Sequence, residues 1–455
     1  MEMVLEFLRD VLSQPALLIG IMSCIGLIAL KRPFHKVMTG TLKPILGYLM
    51  LAAGAGVIVN NLDPLGKMIE HGFHITGVVP NNEAIVAVAQ KVLGVETMSI
   101  LVVGLLMNLC IARFTKFKYV FLTGHHSLFM ACLMSAVLGT AGLSGMELIL
   151  VGGFLMGAWS AISPAIGQSY TSKVTDGDEI AIGHFGSLGY YLSAWVAQYV
   201  GKAEDSTEDI EIPEKWGFLR DSTLSTALTM IVFYLIAAIA AGSEFVSTLS
   251  GDMSPYLYAV MSAMNFAVGV TIVYSGVRMI LGDLIPAFQG IATKIIPNAI
   301  PAVDCAVFFT YAPTAVVLGF LSSFIGGIIG MLILGAVGGV LIIPGLVPHF
   351  FCGATAGIYG NATGGRRGAA VGAFLNGLAI TFLPALALPV LGQLGFQNTT
   401  FGDADFAVMG LVLGHAFEWI GMAGIYGIVA IAALVLIIPN FIKTKGKVIN
   451  YVEEE

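Results

Sequence analysis

Long uncharged apolar stretches run through the whole 455-residue chain and constrain its fold more than any other feature. Hydrophobic residues make up 57% of the chain and charged residues only 11%, whereas soluble domains carry about 25% charged residues. Because about 20 apolar residues are enough for a helix to cross a bilayer, the pattern predicts an all-α polytopic membrane protein. The net charge of −7 excludes nucleic-acid binding, which needs a basic face.

The uncharged stretches predict eleven transmembrane helices. One stretch, 305–348, is too long for a single crossing, and its Gly326-Gly327 and Gly338-Gly339 pairs predict where it folds back into a second span. With that stretch counted twice, the predicted spans are 11–30, 44–62, 97–112, 119–146, 148–172, 222–243, 253–277, 305–348, 368–402 and 419–442.

Two moderately apolar segments, 63–96 and 281–304, do not read as simple spans because prolines interrupt them. Backbone that leaves the helical conformation at membrane depth is tolerated only where it is buried in protein or lines a cavity. We therefore expect two re-entrant hairpins that form walls of a ligand site. The interrupting prolines are Pro64, Pro80, Pro286, Pro297 and Pro301.

The placement of basic residues predicts the orientation of the chain in the membrane. With the N-terminus outside, eighteen of the 21 lysines and arginines lie on the cytoplasmic side, and only Arg9, Lys67 and Lys91 lie outside. Cytoplasmic loops carry an excess of these residues. The C-terminus and the polar segment 173–221 are therefore expected in the cytoplasm.

The two halves of the chain match each other at an offset near 220 residues. The segment 151–157 (VGGFLMG) matches 371–377 (VGAFLNG), and Gly54 and Pro64 match Gly276 and Pro286 at an offset of 222. An odd number of spans in each copy inverts the second copy, as in many secondary carriers. The predicted divisions are a first repeat of five spans (1–172), a cytoplasmic loop (173–221), a second, inverted repeat of five spans (222–402), and a final span with a cytoplasmic tail (403–455).

Polar residues at the hairpin tips are the first candidates for substrate binding. Asn81, Asn82 and Glu83 follow Pro80, and Asp304 follows Pro301 by three residues, in each case just before a helical pattern. The repeat offset makes these two tips symmetry mates. Two helix N-termini that meet at one cavity would offer free N–H groups to an anionic or oxygen-rich ligand.

Histidines within apolar sequence are the second candidates. His125 and His126 lie in an uncharged stretch, where polar groups are costly and therefore indicate function. His184 in the predicted cytoplasmic loop is either a ligand contact or part of the loop structure. Gly54 and Gly56 are expected to allow close helix approach, with ligand contact as the alternative for both.

Motifs for nucleotide, metal or covalent chemistry are missing from the sequence. It contains no P-loop, no HExxH and no Rossmann fingerprint. We therefore expect no catalytic residue, no cofactor and no metal, and no phosphoryl chemistry of the chain's own.

Several sequence blocks in order resemble the ascorbate-specific membrane component (component C of enzyme II) of the bacterial sugar phosphotransferase system, over nearly the full length. Single blocks of this kind are weak, and their order makes the resemblance specific. The blocks are LxGIxxCIG at 18–26, LxxAGAG at 49–56, LTGH at 122–125, VTDG at 174–177, IGH at 182–184, GVRM at 276–279, AVDCA at 302–306 and LIIPGLVPHFF at 341–351.

This resemblance implies a homodimer whose protomers each have a core domain and a V-shaped dimerisation motif. It implies uptake of L-ascorbate from the periplasm by an elevator-like motion, with phosphorylation by a separate cytoplasmic phosphocysteine subunit (component B), which works with a phosphohistidine subunit (component A). The substrate site carried over by position comprises Gly54, 81–83, His125, Asp304, Cys305 and Ala306.

The chain departs from the family pattern after TGH and IGH, and Glu83 is an acid where a neutral polar or aromatic side chain is expected. Two carboxylates that face an anion would repel it unless one is protonated or paired. A neutral sugar or polyol is therefore an alternative substrate. A proton-coupled symporter that uses Glu83, Asp304 and His125, and a scaffold or sensor that only binds the cytoplasmic subunit, are alternative functions.

The segment 173–221 is further expected to dock the phosphoryl-donor subunit. It lies on the predicted cytoplasmic side and carries mixed charge, including Glu204, Asp205, Glu208 and Asp209. A solvated linker is the alternative.

Overall fold

The protein is described here from a computed structural model, which covers residues 11, 14–73, 77–80, 82–210, 222–392 and 399–441. Helices dominate the described chain, as the apolar composition predicts. They are α1 (Pro15–Ala29), α2 (Phe34–Gly72), α3 (Asn82–Phe114), α4 (Gly124–Thr140), α5 (Gly145–Thr175), α6 (Ser187–Val200), α7 (Ser222–Ala241), α8 (Ser243–Ser250), α9 (Pro255–Lys294), α10 (Pro313–Ala336), α11 (Leu346–Gly392, broken by non-helical backbone at Gly364 and Gly365), α12 (Ala404–Ile420) and α13 (Met422–Phe441), with short 3₁₀ turns at Thr207–Asp209 and Cys305–Thr310.

Seven helices within the described residues are long and apolar enough to cross a membrane, or eight if the bent pair α7–α8 counts as one broken span. This confirms an all-α polytopic membrane protein. The predicted spans 148–172, 253–277 and 419–442 coincide with α5, α9 and α13. The total of eleven spans stays a prediction, and α12 is a helix that the sequence analysis did not predict.

The predicted fold-back at Gly326-Gly327 is wrong, because α10 continues through both glycines to Ala336. A Cβ at Gly326 would lie 2.2 Å from the Phe374 carbonyl oxygen, and one at Gly327 would lie 2.5 Å from the His349 ring. These glycines therefore let α10 pack closely on α11. The chain leaves the helix instead beside Gly338, whose φ of 71° favours glycine.

Pro64 and Pro286, which the sequence analysis placed inside re-entrant hairpins, do not interrupt their helices. α2 runs through Pro64 to Gly72, and α9 runs through Pro286 to Lys294. A proline removes one backbone hydrogen bond, which neighbouring groups in a membrane protein can replace. The first arm of each predicted hairpin is thus the end of a long helix.

The predicted cytoplasmic loop 173–221 contains a helix that its polar composition did not predict. α6 lies inside it, and Tyr190 and Ala194 of this helix are fully buried. The Ser193 hydroxyl donates to the Ala356 carbonyl of α11 at 2.6 Å. Fourteen residues are too few to cross a bilayer, so the length criterion missed a helix that is buried in protein.

Glu208, one of the acids expected to dock a partner, caps a helix in the structure. Its carboxylate accepts from the backbone N–H groups of Thr314 at 3.0 Å and Ala315 at 3.1 Å, at the start of α10. Carboxylates are stabilising at helix N-termini. The docking of a partner on 173–221 stays a prediction, and residues 211–221 lie outside the described chain.

Short parallel strands connect the helices in two groups. In the first group β4 (Ile300–Val303) pairs with β2 (Tyr119–Phe121) on one side and β3 (Ala181–Ile182) on the other. In the second group β1 (Val79–Pro80) pairs with β5 (Thr399–Thr400), and Val78 bridges to Ile342. Each group thus joins one predicted hairpin tip to segments of the opposite half of the chain.

Glycines bring α2 and α9 into backbone contact. A Cβ at Gly54 would lie 2.7 Å from the Gly269 carbonyl oxygen, and a Cβ at Gly276 would lie 2.6 Å from the Gly47 carbonyl oxygen. Small residues at such positions allow the close approach that the sequence analysis expected of Gly54. Gly56 differs, because a Cβ there meets nothing within 4 Å.

We expect Gly54→Ala to destabilise the protein by about 1–3 kcal/mol, because the added methyl group meets backbone atoms that cannot move aside. Gly56→Ala is the matched control in the same helix and should be neutral or stabilising, since alanine favours helix over glycine by about 1 kcal/mol. Thermal unfolding of both purified variants checks this. Equal melting temperatures would contradict the packing role of Gly54.

Candidate functional site

A cavity of about 1330 Å³ opens between the helices and has an apolar wall and a polar end. The apolar wall includes Leu51, Phe129 and Phe351. The residues that define the polar end are Tyr48, Asn82, His125, His126, His184, Asp304, Cys305, Ala306 and Asp403. A large, mostly apolar pocket with a few convergent polar groups is the typical form of a small-molecule site.

The local chain path explains why these side chains converge. Each of the five short strands described above is followed, within a few residues, by a polar residue of the cavity. Since the strands in each group are parallel, their carboxyl ends face the same way, as at the ligand crevice of open parallel sheets. The pairs of strand and following residue are β1 and Asn82, β2 and His125, β3 and His184, β4 and Asp304, and β5 and Asp403.

Asp304 and His125 form the first polar pair. Asp304 Oδ2 lies 3.4 Å from His125 Nε2, and the Asp304 side chain is only 9% exposed. Asp304 Oδ1 accepts from the Ala306 N–H at 3.2 Å, which caps the 3₁₀ turn that follows. The Tyr48 hydroxyl lies 3.2 Å from His125 Nδ1 and orients the imidazole from α2.

Asn82 and Asp403 form the second polar pair and join the first residue of α3 to the turn before α12. Asn82 Nδ2 donates to Asp403 Oδ2 at 2.6 Å, and Asn82 Oδ1 accepts from the Gly402 N–H at 2.9 Å. The Cys352 thiol donates to Asp403 Oδ1 at 2.8 Å. Asp403 is therefore a buried carboxylate with two donors from different helices.

His184 and His126 supply hydrogen-bond donors. Nδ1 of His184 accepts from the Gly186 N–H at 3.1 Å, and Nδ1 of His126 accepts from the Phe185 N–H at 3.3 Å. A neutral imidazole that accepts at Nδ1 carries its hydrogen at Nε2. Burial lowers the pKa of His184, with nearby Asp403 opposing the shift, so that the neutral form is expected at pH 7.

Among the described residues, two groups of three side chains have ligand atoms within 4.8 Å of one another, as a metal site would need. They are His126, His184 and Asp403, and His184, Asp304 and Cys305. The Nδ1 atoms of both histidines already accept backbone N–H bonds, so a metal at those atoms would have to displace them. The polar end thus presents both hydrogen-bond donors and acceptors to the cavity.

Most residues predicted from the sequence meet at this cavity. The structure brings together Asn82, His125, His126, His184, Asp304, Cys305 and Ala306. Gly54 is placed elsewhere, buried against α9. Asn81 and the Glu83 side chain lie outside the described part of the chain, although the Glu83 backbone belongs to α3.

The sequence analysis missed Asp403, Tyr48 and Cys352. Asp403 follows His184 by 219 residues, close to the offset of the proposed repeat, so the repeat itself carried the signal. Tyr48 and Cys352 carried no such signal, because aromatic and thiol groups in apolar helices are ordinary core residues.

Asp405 forms hydrogen bonds that connect two of the segments that form the cavity. Its carboxylate accepts from the Ser187 hydroxyl at 2.8 Å, the Leu188 N–H at 3.0 Å and Trp159 Nε1 at 3.2 Å, and it is fully buried. Its own N–H donates to the Phe185 carbonyl at 2.9 Å. Asp405 thereby ties the turn that carries His184 to the start of α12.

We expect Asp405→Asn to destabilise the protein by about 1–3 kcal/mol, since the amide turns an N–H donor toward donors from which the Asp405 side chain now accepts. Glu418→Gln, an exposed position on the same helix, is the matched control. Thermal unfolding of both variants provides the measurement. Equal melting temperatures of Asp405→Asn and the control variant would contradict this structural role of Asp405.

Comparisons with known proteins found a matching protein family and a curated relative. A family model described as "PTS system sugar-specific permease component" (EIIC-GAT) matches residues 10–405. A curated relative from Mycoplasma pneumoniae, the "Ascorbate-specific PTS system EIIC component", is 27% identical over 417 aligned positions, which cover 78% of this chain. The match spans 62% of the length of that relative.

Proposed function

Since the chain belongs to the family of sugar-specific permease components of the phosphotransferase system, we propose that it binds L-ascorbate in the cavity and carries it across the membrane. The observation that carries this proposal is the meeting of the Asn82–Asp403 and Asp304–His125 pairs at one polar end of a large cavity. The name of the Mycoplasma pneumoniae relative supports ascorbate as the substrate.

The chemistry of the polar end suits a small ring with several hydroxyl groups. Asp304 and Asp403 accept from hydroxyl groups, while Nε2–H of His126 and His184 donates to oxygen atoms. Ascorbate at neutral pH carries one negative charge. His125 beside Asp304, and the backbone N–H groups at the start of α3, offset the repulsion between that charge and the two carboxylates.

The translocation step is proposed to be an elevator-like motion of a core domain against a V-shaped dimerisation motif in a homodimer. The inverted repeat behind this proposal is supported by the two strand groups, in each of which a hairpin tip pairs with two segments of the opposite half. Carriers of this class bind substrate where the two repeats meet.

Phosphorylation is proposed to occur in trans. The cytoplasmic phosphocysteine subunit (component B), supplied by the phosphohistidine subunit (component A), would transfer the phosphoryl group to ascorbate as it reaches the cytoplasm. The proposed location is the bacterial inner membrane, with the N-terminus in the periplasm and the C-terminus in the cytoplasm, as the distribution of basic residues predicts.

A neutral sugar or polyol is the second candidate substrate, and the charges of the cavity favour it. The described cavity lining contains four carboxylates, Asp63, Glu70, Asp304 and Asp403, against the single ammonium group of Lys67. Such a lining favours a neutral ligand, whose hydroxyl groups donate to carboxylates without repulsion.

Calorimetric titration of the purified protein with L-ascorbate and with a hexitol such as galactitol separates the two substrates. Saturable ascorbate binding that galactitol does not compete with supports the proposal. Binding of galactitol alone would move the assignment to a neutral polyol, and binding of neither would overturn the assignment of the cavity as the substrate site.

A further inference from the structure

A second, much smaller cavity of about 10 Å³ lies directly behind Asp304. Asp304 and Tyr48 line both cavities and thus form the wall between them. The remaining lining is aliphatic except for Thr123. A space of about 10–15 Å³ is what one water molecule needs.

The hydroxyl group of Thr123 does not cap the helix that follows it. Thr123 is the N-cap residue of α4, yet its side chain makes no capping hydrogen bond. The residue is 1% exposed, and its hydroxyl has no hydrogen-bond partner among the described residues. A buried hydroxyl without a partner is costly, so one that lines a cavity together with a carboxylate and a phenol indicates a ligand there.

We propose that the small cavity binds one ordered water molecule, which links the Thr123 hydroxyl to the Asp304 carboxylate and the Tyr48 hydroxyl. Three polar partners are the usual number for a buried water molecule. The water donates to the Asp304 carboxylate and keeps it in place for the substrate. Thr123, in the LTGH block, is thereby a positioning residue that acts on the ligand through Asp304.

A sodium ion is the competing occupant, because a carboxylate and two hydroxyl groups are oxygen ligands for hard cations. The water assignment is favoured by the aliphatic remainder of the lining, which offers few side-chain oxygens to a cation. The two occupants differ in whether binding depends on the sodium in the buffer.

The test rests on the proposed function and uses calorimetric titration of the purified full-length protein with L-ascorbate, and in parallel with galactitol, at pH 7. Thr123→Val removes the hydroxyl at nearly constant volume, and Thr123→Ser keeps it. Ser127→Ala is the matched control, since it removes a neighbouring buried hydroxyl that donates to the Thr123 carbonyl instead of lining the small cavity.

We expect Thr123→Val to weaken binding five- to tenfold, while Thr123→Ser and Ser127→Ala stay within twofold of wild type.

Wild-type affinity in Thr123→Val would overturn the proposal. A wild-type affinity that falls when choline replaces sodium would also overturn the proposal, because a cation would then occupy the small cavity. If the valine variant does not fold, a wild-type density map that resolves water tests the proposal. Density within hydrogen-bond distance of Thr123 Oγ1 and Asp304 supports it, and no density there overturns it. If the wild type binds neither probe, the proposed function fails while the map still tests the water.

Discussion

Replacing Asp403 by asparagine is expected to weaken substrate binding by about 2–3 kcal/mol, which is roughly 30- to 150-fold in affinity. The carboxylate accepts from Asn82 Nδ2 at 2.6 Å and from the Cys352 thiol at 2.8 Å. An amide at 403 turns its own NH₂ group toward one of these donors. The start of α3 then keeps its hydrogen bond from the Gly402 N–H but loses the one to residue 403, so that the polar end of the cavity is held less firmly.

The reciprocal exchange tests this explanation directly. In the double variant Asn82→Asp with Asp403→Asn, an amide again faces a carboxylate, and a carboxylate at 82 can still accept from the Gly402 N–H. We expect the double variant to recover at least part of the affinity for L-ascorbate in calorimetry. Wild-type affinity in Asp403→Asn, or no recovery in the double variant, would remove this pair from the site.

Replacing Asp304 by asparagine is expected to weaken substrate binding at least tenfold, or about 1.4 kcal/mol. Asparagine keeps the oxygen that accepts from the Ala306 N–H, so the cap of the 3₁₀ turn survives. What disappears is the charge-assisted bond from Asp304 to a ligand hydroxyl and its interaction with His125 at 3.4 Å.

Asp283→Asn is the matched control for Asp304→Asn, because Asp283 pairs with Lys43 at 3.5 Å and does not line the cavity. Calorimetric titration of both folded variants provides the comparison. Asp304→Asn with the affinity of the control would reduce Asp304 to a structural cap.

The residue types of the site were predictable because polar groups are costly in apolar sequence. His125 and His126 could be identified without any structure for this reason, and Asp304 as a polar residue at a predicted hairpin tip. Asp403 was predictable in principle, since the repeat offset places it opposite His184. It was missed because 184 and 403 were both assigned to segments outside the two repeats, so their offset was not compared.

The fold was less predictable wherever short elements decide it. β1, β3 and β5 have two residues each, which is too short for any periodic pattern, yet they place Asn82, His184 and Asp403. Prolines and glycines also do not mark the ends of the helices where they were expected to. Pro64 lies within a continuous helix, and Gly326 allows close packing where a turn was expected.

Uptake of radiolabelled L-ascorbate by membrane vesicles that contain this chain tests the account most directly. The vesicles are loaded on the cytoplasmic side with phosphorylated component B, or left without it, and the internal product is analysed. The account predicts that label accumulates only with phosphorylated component B and as a phosphate ester of ascorbate. Accumulation of free ascorbate that needs only a proton gradient would contradict it and assign the chain to the proton-coupled symporters.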